Sequence, residues 1–316
     1  MSKLRSITAF APASVGNAGF GYDILGFAIE GIGDTVTVSF SDVNSSKIIL
    51  SGKYGNLIPD ERKKNTAGVA IEAFLNATGN SDKNLKIELE KNLPLGSGLG
   101  SSASSAAAAV LAVNELLGDI LKINELIPFA MEGERIACGA AHADNVAPSL
   151  LGGFILIRSN EPLDIIQIPV PKDLFCAVVH PHVELLTSLS RSVVKKEISI
   201  YDAIKQNANT SAFVSAMFTS DFELMKRSFL DLFAEPFRAP LIPGYFNVKK
   251  SALEAGAIGC GISGSGPSVV ALCKGGTEAK IISNIMRNEF EKSDFDCDVF
   301  VSPVNAGGAK IINEKE

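Results

Sequence analysis

The segment 94–105, PLGSGLGSSASS, constrains the fold of this chain more than any other stretch. An alternating apolar run at Leu85, Ile87 and Leu89 precedes it and predicts a strand, whereas the alanine-rich run 106–117 predicts a helix. The glycines therefore lie in a strand-to-helix loop, where backbone N–H groups and the helix dipole favour an anion. The sequence predicts a polyphosphate-binding loop at the start of this helix.

Two common phosphate-binding motifs share this context, and neither fits. A P-loop requires a lysine directly after its last glycine, where this chain has Ser101 and Ser102 and no neighbouring cation. A dinucleotide fingerprint requires the spacing GxGxxG, whereas Gly96, Gly98 and Gly100 follow GxGxG. A glycine-rich turn that serves only helix packing is the structural alternative. The paired serines favour a ligand site instead, because their hydroxyls can reach phosphate-bound Mg²⁺.

Three segments together resemble the motifs of the GHMP small-molecule kinases, named after galactokinase, homoserine kinase, mevalonate kinase and phosphomevalonate kinase. The stretch PLGSGLGSSA is similar to the second motif of the family, and GISGSGPSVVAL (261–272) is similar to its C-terminal glycine motif. The stretch APASVGNAGFGYDILG (11–26) is similar to the N-terminal motif of the homoserine kinases. The three stretches occur in the order typical of the family and span most of the chain.

The resemblance implies an α+β fold of two lobes, in which the N-terminal lobe resembles ribosomal protein S5 domain 2 and the C-terminal lobe is an α/β sandwich. Hydrophobic patterning predicts strands at 35–39, 47–51, 85–90, 154–158 and 174–179, and two more near the end. It predicts helices at 66–76, 101–117, 124–138, 201–218, 222–233 and 248–255, and one more between the last strands. We expect an N-terminal ATP-binding domain over 1–168 and a C-terminal domain over 169–316. The resemblance also suggests that the last strand packs back on the first lobe.

Composition argues against several other classes of protein. A chain of 316 residues with 46% hydrophobic residues can bury the cores of two lobes. Its formal net charge of −6, without a basic stripe, disfavours nucleic acid as a partner.

No apolar leader or membrane span is evident, so we expect a cytoplasmic protein without a membrane partner. The family is compatible with a homodimer. The cysteines lack CxxC spacing and are expected to be reduced core residues: Cys138, Cys176, Cys260, Cys273 and Cys297.

The resemblance implies ATP and Mg²⁺ as cofactors. The implied nucleotide contacts are Asn65, near the base, and the loop residues Pro94, Leu95, Gly96, Ser97, Gly98, Leu99, Gly100, Ser101, Ser102, Ala103 and Ser104. Mg²⁺ prefers one or two carboxylates besides phosphate oxygens and water, and MEGERIACG (131–139) offers Glu132 and Glu134. The homoserine kinase pattern, with a glutamate eight residues before His142, selects Glu134 as catalytic metal ligand beside Ser101. Glu132 and Ser102 stay open as alternatives.

An amino-acid substrate has two charged ends, so its site needs a carboxylate for the ammonium group and a guanidinium for the carboxylate. The resemblance implies a substrate site made of Asn17, Asp23, His142, Asn145, Thr187, Arg191 and Arg238. The implied reaction is phosphorylation of the L-homoserine hydroxyl by ATP, which gives O-phospho-L-homoserine on the route to threonine. A GHMP kinase for mevalonate, shikimate or a sugar is one alternative, and a non-catalytic nucleotide-binding member is the other.

The expected mechanism lacks the ion pair of the mevalonate kinases. Those enzymes activate the hydroxyl with a lysine and an aspartate, and the corresponding positions here read Ser14 and Asn145. We expect Asn145 to orient the hydroxyl and phosphoryl transfer to depend on positioning and Mg²⁺ without a carboxylate base, because its transition state is loose. Asp144, directly before Asn145, is the alternative catalytic carboxylate. His180 and His182 have no third ligand at metal spacing and predict no metal site.

Overall fold

The computed structural model describes residues 6–43, 45–139 and 142–315. The strands are β1 (Ser6–Gly16), β2 (Leu25–Phe40), β3 (Ile49–Ser51), β4 (Leu85–Glu90), β5 (Phe154–Asn160), β6 (Leu163–Ile168), β7 (Leu174–Pro181), β8 (Gly259–Ile262), β9 (Val269–Lys274), β10 (Cys297–Pro303) and β11 (Lys310–Lys315). The helices are α1 (Thr66–Ala77), α2 (Ser101–Leu116), α3 (Ile127–Cys138), α4 (Ala143–Leu151), α5 (Thr187–Ser192), α6 (Ile200–Thr219), α7 (Phe222–Ser228), α8 (Glu235–Arg238), α9 (Tyr245–Glu254) and α10 (Gly276–Glu291).

The first sheet consists, among the described strands, of seven members in the order β11-β1-β2-β4-β3, with β5 and β6 attached beside β2. Helices α1 to α4 share one core with this sheet, and Ile7, Val36 and Ile87 contribute to it from the strands. The alanines 106–109 of α2 are fully buried in that core. Their small side chains let α2 lie close to both β1 and the neighbouring helices, which fixes the position of the loop before α2.

The second sheet consists, among the described strands, of four antiparallel members in the order β10-β7-β9-β8. Helices α9 and α10 pack on it through a core that includes Tyr245, Met286 and Phe290. A third core joins the two sheets, where Phe20 from the segment after β1 contacts Phe213 of α6 with ring centroids 4.4 Å apart. The N-terminal motif is therefore held by side chains from the second half of the chain.

The chain changes from one sheet to the other between β6, which ends at Ile168, and β7, which begins at Leu174. It returns at its end, where β11 pairs antiparallel with β1 in the first sheet. The first sheet therefore includes residues from both ends of the chain. The boundary after residue 168 stays a prediction.

The predicted two-lobed α+β class is confirmed, but several elements differ from the sequence prediction. The predicted helix 222–233 is too long, because α7 ends at Ser228 and the ring of Phe229 turns onto Phe20, with centroids 4.9 Å apart. Hydrophobic patterning missed β1, β6 and α4, whose sequences do not alternate cleanly or contain a proline. It also predicted two strands after α9, where the described residues form four, β8 to β11. Within the described residues, no helix has the length and apolar character needed to cross a membrane.

Candidate active site

The glycine-rich loop connects β4 to α2, as the sequence predicts. Gly96, Gly98 and Gly100 have φ angles of 58°, 76° and 65°, in the left-handed region that favours glycine. A Cβ on Gly98 would collide with the carbonyl oxygen of Ser263, so the close approach of the two segments also requires glycine. Gly100 is the N-cap of α2 and has no side chain to accept from the first-turn N–H groups, which suits an anionic ligand.

The C-terminal glycine motif forms the turn between β8 and β9, and it holds the loop by hydrogen bonds. Ser263 Oγ donates to the carbonyl of Gly98 at 2.6 Å, and the Ser268 N–H donates to the carbonyl of Ser97 at 3.2 Å. The Gly264 N–H donates to the carbonyl of Gly16 at 2.9 Å. This turn therefore positions two other motifs relative to each other.

The loop borders a cavity of about 680 Å³. The cavity is lined by these predicted site residues: Asn17, Asp23, Asn65, Leu95, Gly96, Ser97, Gly98, Gly100, Ser101, Ser102, Glu134, His142, Asn145, Thr187, Arg191 and Arg238. Four predicted loop residues, Pro94, Leu99, Ala103 and Ser104, are buried beside it and do not line it. Ser104 Oγ donates to the carbonyl of Ala11 at 2.7 Å, so this hydroxyl attaches α2 to β1. Burial disfavours ligand contact by these four side chains.

The metal-ligand candidates separate clearly in the structure. Glu134 is 7% exposed, and Ser102 Oγ donates to its Oε2 at 2.6 Å. Glu132 lies on the outer face of α3 and pairs with Arg135 at 3.1 Å. Ser101 Oγ donates instead to the carbonyl of Leu93 at 3.2 Å. The geometry thus favours Glu134 together with Ser102 over the predicted partner Ser101.

A buried cation that the sequence motifs did not reveal lies beside the loop. Lys91 follows β4, is 2% exposed and lines the cavity. Its ammonium group pairs with the fully buried Asp34 and donates to the carbonyl of Ser101 at 2.6 Å and to Ser105 Oγ at 3.0 Å. Burial lowers the pKa of Lys91, and the charge of Asp34 opposes that shift. The P-loop pattern places its cation after the last glycine, whereas this lysine precedes the loop.

Asp23 and Arg191 form a two-point ion pair in the same cavity. Arg191 Nη1 and Nη2 donate to the two carboxylate oxygens of Asp23 at 3.2 and 3.1 Å. Asn17 Oδ1 accepts from the Asp23 N–H at 2.8 Å, which fixes the turn that carries Asp23. His142 Nδ1 lies 3.7 Å from Asp23 Oδ2, and burial lowers the pKa of this imidazole. The pair joins the N-terminal motif to α5 across the cavity.

Arg238 is a second guanidinium of the cavity and is only 2% exposed. Its Nε donates to the carbonyl of Ser190, and its Nη1 donates to the carbonyl of Gly264, both at 3.0 Å. The ring centroid of Tyr22 lies 5.0 Å from the guanidinium carbon. Thr187 Oγ1 lies 3.2 Å from Ser265 Oγ on the adjoining wall. Arg238 is thus fixed by carbonyl groups and an aromatic face.

Ser14 and Asn145, which replace the mevalonate kinase ion pair, contact each other. Ser14 Oγ donates to Asn145 Oδ1 at 3.0 Å. A Cβ on Gly16 would collide with Asn145 Nδ2 and would lie 2.7 Å from Asp144 Oδ2, so glycine is needed where these side chains pass. Asp144 is 3% exposed. Its burial, assisted by the negative charge of Asp23, raises the pKa of Asp144 to about 7.

His180 and the cysteines whose side chains the structure describes pack inside the protein or against its other side chains. His180 Nδ1 lies 3.1 Å from Ser268 Oγ, and no group of three metal-ligating side chains occurs among the residues that the structure describes. Cys176, Cys260 and Cys273 are buried free thiols, and Cys297 is partly buried. The side chain of Cys138 lies outside the described part of the chain.

Comparison with known proteins matches both lobes to one family. The sequence model of the GHMP kinases N terminal domain matches residues 65–153, and that of the GHMP kinases C terminal region matches residues 213–292. A homoserine kinase from Chloroherpeton thalassium is 48% identical over 319 aligned positions, which cover 98% of this chain and 100% of that protein.

Solved structures give the same result. The crystal structure of homoserine kinase from Cytophaga hutchinsonii ATCC 33406 matches with a TM-score of 0.93 and 45% identity, over 97% of each chain. The L. major mevalonate kinase in complex with R-mevalonate matches with a TM-score of 0.68 over 93% of this chain and 95% of that one. At 17% identity, the second likeness shows the fold alone.

Proposed function

This chain belongs to the GHMP kinase family, and from that membership we propose that it transfers the γ-phosphoryl group of ATP to the hydroxyl of L-homoserine. The products are ADP and O-phospho-L-homoserine. Homoserine kinases that are similar over almost the whole chain support this substrate. The observation that carries the proposal is the presence of Asp23, Arg191 and Arg238 in the same cavity as the glycine-rich loop. Both charge signs are what a free amino acid requires.

The loop and the first turn of α2 would bind the triphosphate of ATP. Their backbone N–H groups and the positive end of the α2 dipole favour phosphate oxygens. Lys91 adds a positive charge beside the loop, although Asp34 neutralises part of it. Asn65 lines the cavity beyond the loop, and its side chain caps α1 by accepting from the Ala67 N–H at 3.0 Å. We therefore propose that Asn65 contacts the base of ATP.

Mg²⁺ fits the oxygen pair made by Glu134 and Ser102. One carboxylate and one hydroxyl are a suitable protein contribution for an ion that keeps its other positions for phosphate oxygens and water. When bound there, Mg²⁺ would neutralise charge on the transferring phosphoryl group. The contact of 2.6 Å between Ser102 Oγ and Glu134 Oε2 holds the two oxygens side by side in advance.

Asn145 would orient the acceptor hydroxyl as a hydrogen-bond donor. Its Oδ1 already accepts from Ser14 Oγ, which leaves the amide N–H groups of Nδ2 for the hydroxyl oxygen or a phosphoryl oxygen. Asp23 suits the ammonium group of homoserine, and Arg191 and Arg238 suit its carboxylate. The remaining polar lining, Asn17, His142 and Thr187, would complete the contacts. Alignment of this kind can accelerate transfer without a carboxylate base, and Asp144 is the alternative if a base is needed.

An ADP-release assay on a panel of acceptors tests the proposal. Purified protein with ATP and Mg²⁺ is given L-homoserine, R-mevalonate, shikimate or D-galactose, and the product is examined by ³¹P NMR for a phosphate monoester. We expect ADP and the monoester with L-homoserine and only background with the others. Turnover of another acceptor alone would indicate a different GHMP kinase. Nucleotide binding without ADP release on any acceptor would indicate a non-catalytic member.

A further inference from the structure

We propose that the Asp23–Arg191 ion pair acts as an internal substitute for the substrate, so that the site admits ligands that carry both an ammonium and a carboxylate group. The inference rests on the proposed function, because it specifies how the same cavity selects its acceptor. It concerns selection among hydroxyl compounds, not the transfer step itself.

The contact geometry is the first support. Each terminal nitrogen of Arg191 donates to a different oxygen of Asp23, so the pair engages both terminal nitrogens and both carboxylate oxygens. The two side chains are 27% and 23% exposed, so each is largely removed from solvent. Arg191 Nε is buried and has no hydrogen-bond partner among the described residues. The side chains suited to the two ends of an amino acid therefore engage each other.

The number of ionic contacts that a ligand can replace is the second argument for the proposal. A zwitterion can replace both contacts, because its ammonium group pairs with Asp23 while its carboxylate pairs with Arg191. A ligand with one charged end that displaces the pair satisfies one partner and leaves the other largely buried without its ionic partner. An uncompensated charge of this kind costs far more than the same pair contributes when intact. The internal pair therefore penalises ligands with a single charge.

Arg238 differs from Arg191 in its hydrogen-bond partners, and this difference explains why the selection depends on Asp23 and Arg191. The guanidinium of Arg238 is held by the carbonyls of Ser190 and Gly264 and keeps those contacts when a ligand arrives. It can attract a carboxylate without losing a carboxylate partner of its own. Arg191 must exchange one partner for another, so Asp23 controls whether Arg191 is available.

The test uses two acceptors that each lack one end of homoserine. 4-Hydroxybutanoate lacks the ammonium group, and 3-aminopropan-1-ol lacks the carboxylate, while both keep the terminal hydroxyl. We expect the wild-type protein to have at least about a hundredfold lower kcat/KM for either compound than for L-homoserine. The decisive variant is Asp23→Asn, because asparagine tolerates the φ angle of 59° at this position.

In Asp23→Asn, Arg191 loses its internal partner and becomes available to a carboxylate. We expect kcat/KM for 4-hydroxybutanoate to rise about tenfold above the wild-type value, while kcat/KM for L-homoserine falls about a hundredfold. The inhibition constant of 4-hydroxybutanoate against L-homoserine, measured in both proteins, reports binding separately from turnover.

Arg191→Gln should have the opposite preference, and its kcat/KM for 3-aminopropan-1-ol should rise above the wild-type value. Glu291→Gln is the matched control, because it breaks the exposed pair with Arg287 on α10 and should change none of these ratios.

The inference is wrong if neither variant gains on its matching truncated acceptor while both keep the wild-type melting temperature and KM for ATP. If Asp23→Asn does not fold, the Arg191→Gln arm decides by the same criterion. The proposed function fails in a different way, since wild-type protein would then release no ADP with L-homoserine.

Discussion

The glycine-rich loop and the acceptor region share one cavity, but they are built from different parts of the chain. The loop offers backbone N–H groups from one short stretch, and its conformation depends on glycines at positive φ. The acceptor region offers side chains from segments far apart in sequence, with Asp23 after β1, Arg191 on α5 and Arg238 on α8. A backbone site must be contiguous, whereas a side-chain site is assembled by the fold. Substitutions in the two regions should therefore impair different kinetic parameters.

The largest effect is expected at Arg238, as a loss of kcat/KM that is confined to the acceptor substrate. Arg238→Ala removes a guanidinium from the cavity and should lower kcat/KM for L-homoserine about a thousandfold, because a buried charged partner is lost. KM for ATP should change much less. Steady-state kinetics with each substrate varied in turn measures both values. Arg238→Lys keeps the charge without the fork and should recover part of the loss. An equal loss in KM for ATP would contradict the separation of the two regions.

The next largest effect is expected at Gly98, on the nucleotide side. In Gly98→Ala the new Cβ would meet the carbonyl of Ser263, which should distort the loop and lower kcat/KM for ATP about a hundredfold. Gly79→Ala is the matched control, since Gly79 also has positive φ but a Cβ at that position would have no atom within 4 Å. The control should lose stability without losing affinity for ATP. Equal kinetic losses in both variants would mean that backbone strain, not the close approach, explains the result.

A smaller effect should distinguish the two serines at the start of α2. Ser102→Ala removes the hydroxyl beside Glu134 and should raise the Mg²⁺ concentration needed for half-maximal rate about tenfold. Ser101→Ala removes a hydrogen bond to the Leu93 carbonyl and should act mainly on stability. Titrations of Mg²⁺ at saturating ATP measure the difference. The reverse order would restore Ser101 as the metal ligand.

The smallest effect on catalysis is expected at Asp144, which should appear mainly in stability. Its pKa is raised from the ordinary value of 3.8 to about 7, so the folded state binds more protons than the unfolded state between these values. The free energy of unfolding should therefore fall as pH rises from about 4 to 7 and level off above that. Asp144→Asn should remove this decline, as measured by urea unfolding at several pH values.

The kinetics of the same variant test the role of its neighbour. We expect Asn145→Ala to lower kcat more than Asp144→Asn does, because Asn145 is proposed to orient the hydroxyl. If Asp144→Asn abolished kcat while Asn145→Ala spared it, Asp144 would be the catalytic residue. An unchanged pH dependence of stability in Asp144→Asn would separately contradict the raised pKa.

The sequence was most informative where function depends on contiguous backbone. The spacing of Gly96, Gly98 and Gly100 between a strand and a helix predicts the loop, and the structure contains it at that place. It was less informative about local elements such as β6 and α4, whose patterns are short or interrupted by proline. Lys91 was not predicted because nothing in its local sequence distinguishes a buried lysine from an exposed one, and burial here depends on Asp34 from β2.

The sequence by itself determined the family, the loop that favours phosphate and the set of charged residues suited to an amino acid. Only the tertiary structure decided how those side chains pair. Ser101 and Ser102 are adjacent in sequence, but successive helical residues point about 100° apart, so one reaches the Leu93 carbonyl and the other reaches Glu134. Asp23 and Arg191 are distant in sequence and meet because the lobes are joined by a common core. Hydrogen bonds and ion pairs act over a few ångströms, so the fold must bring the groups together before their chemistry is defined.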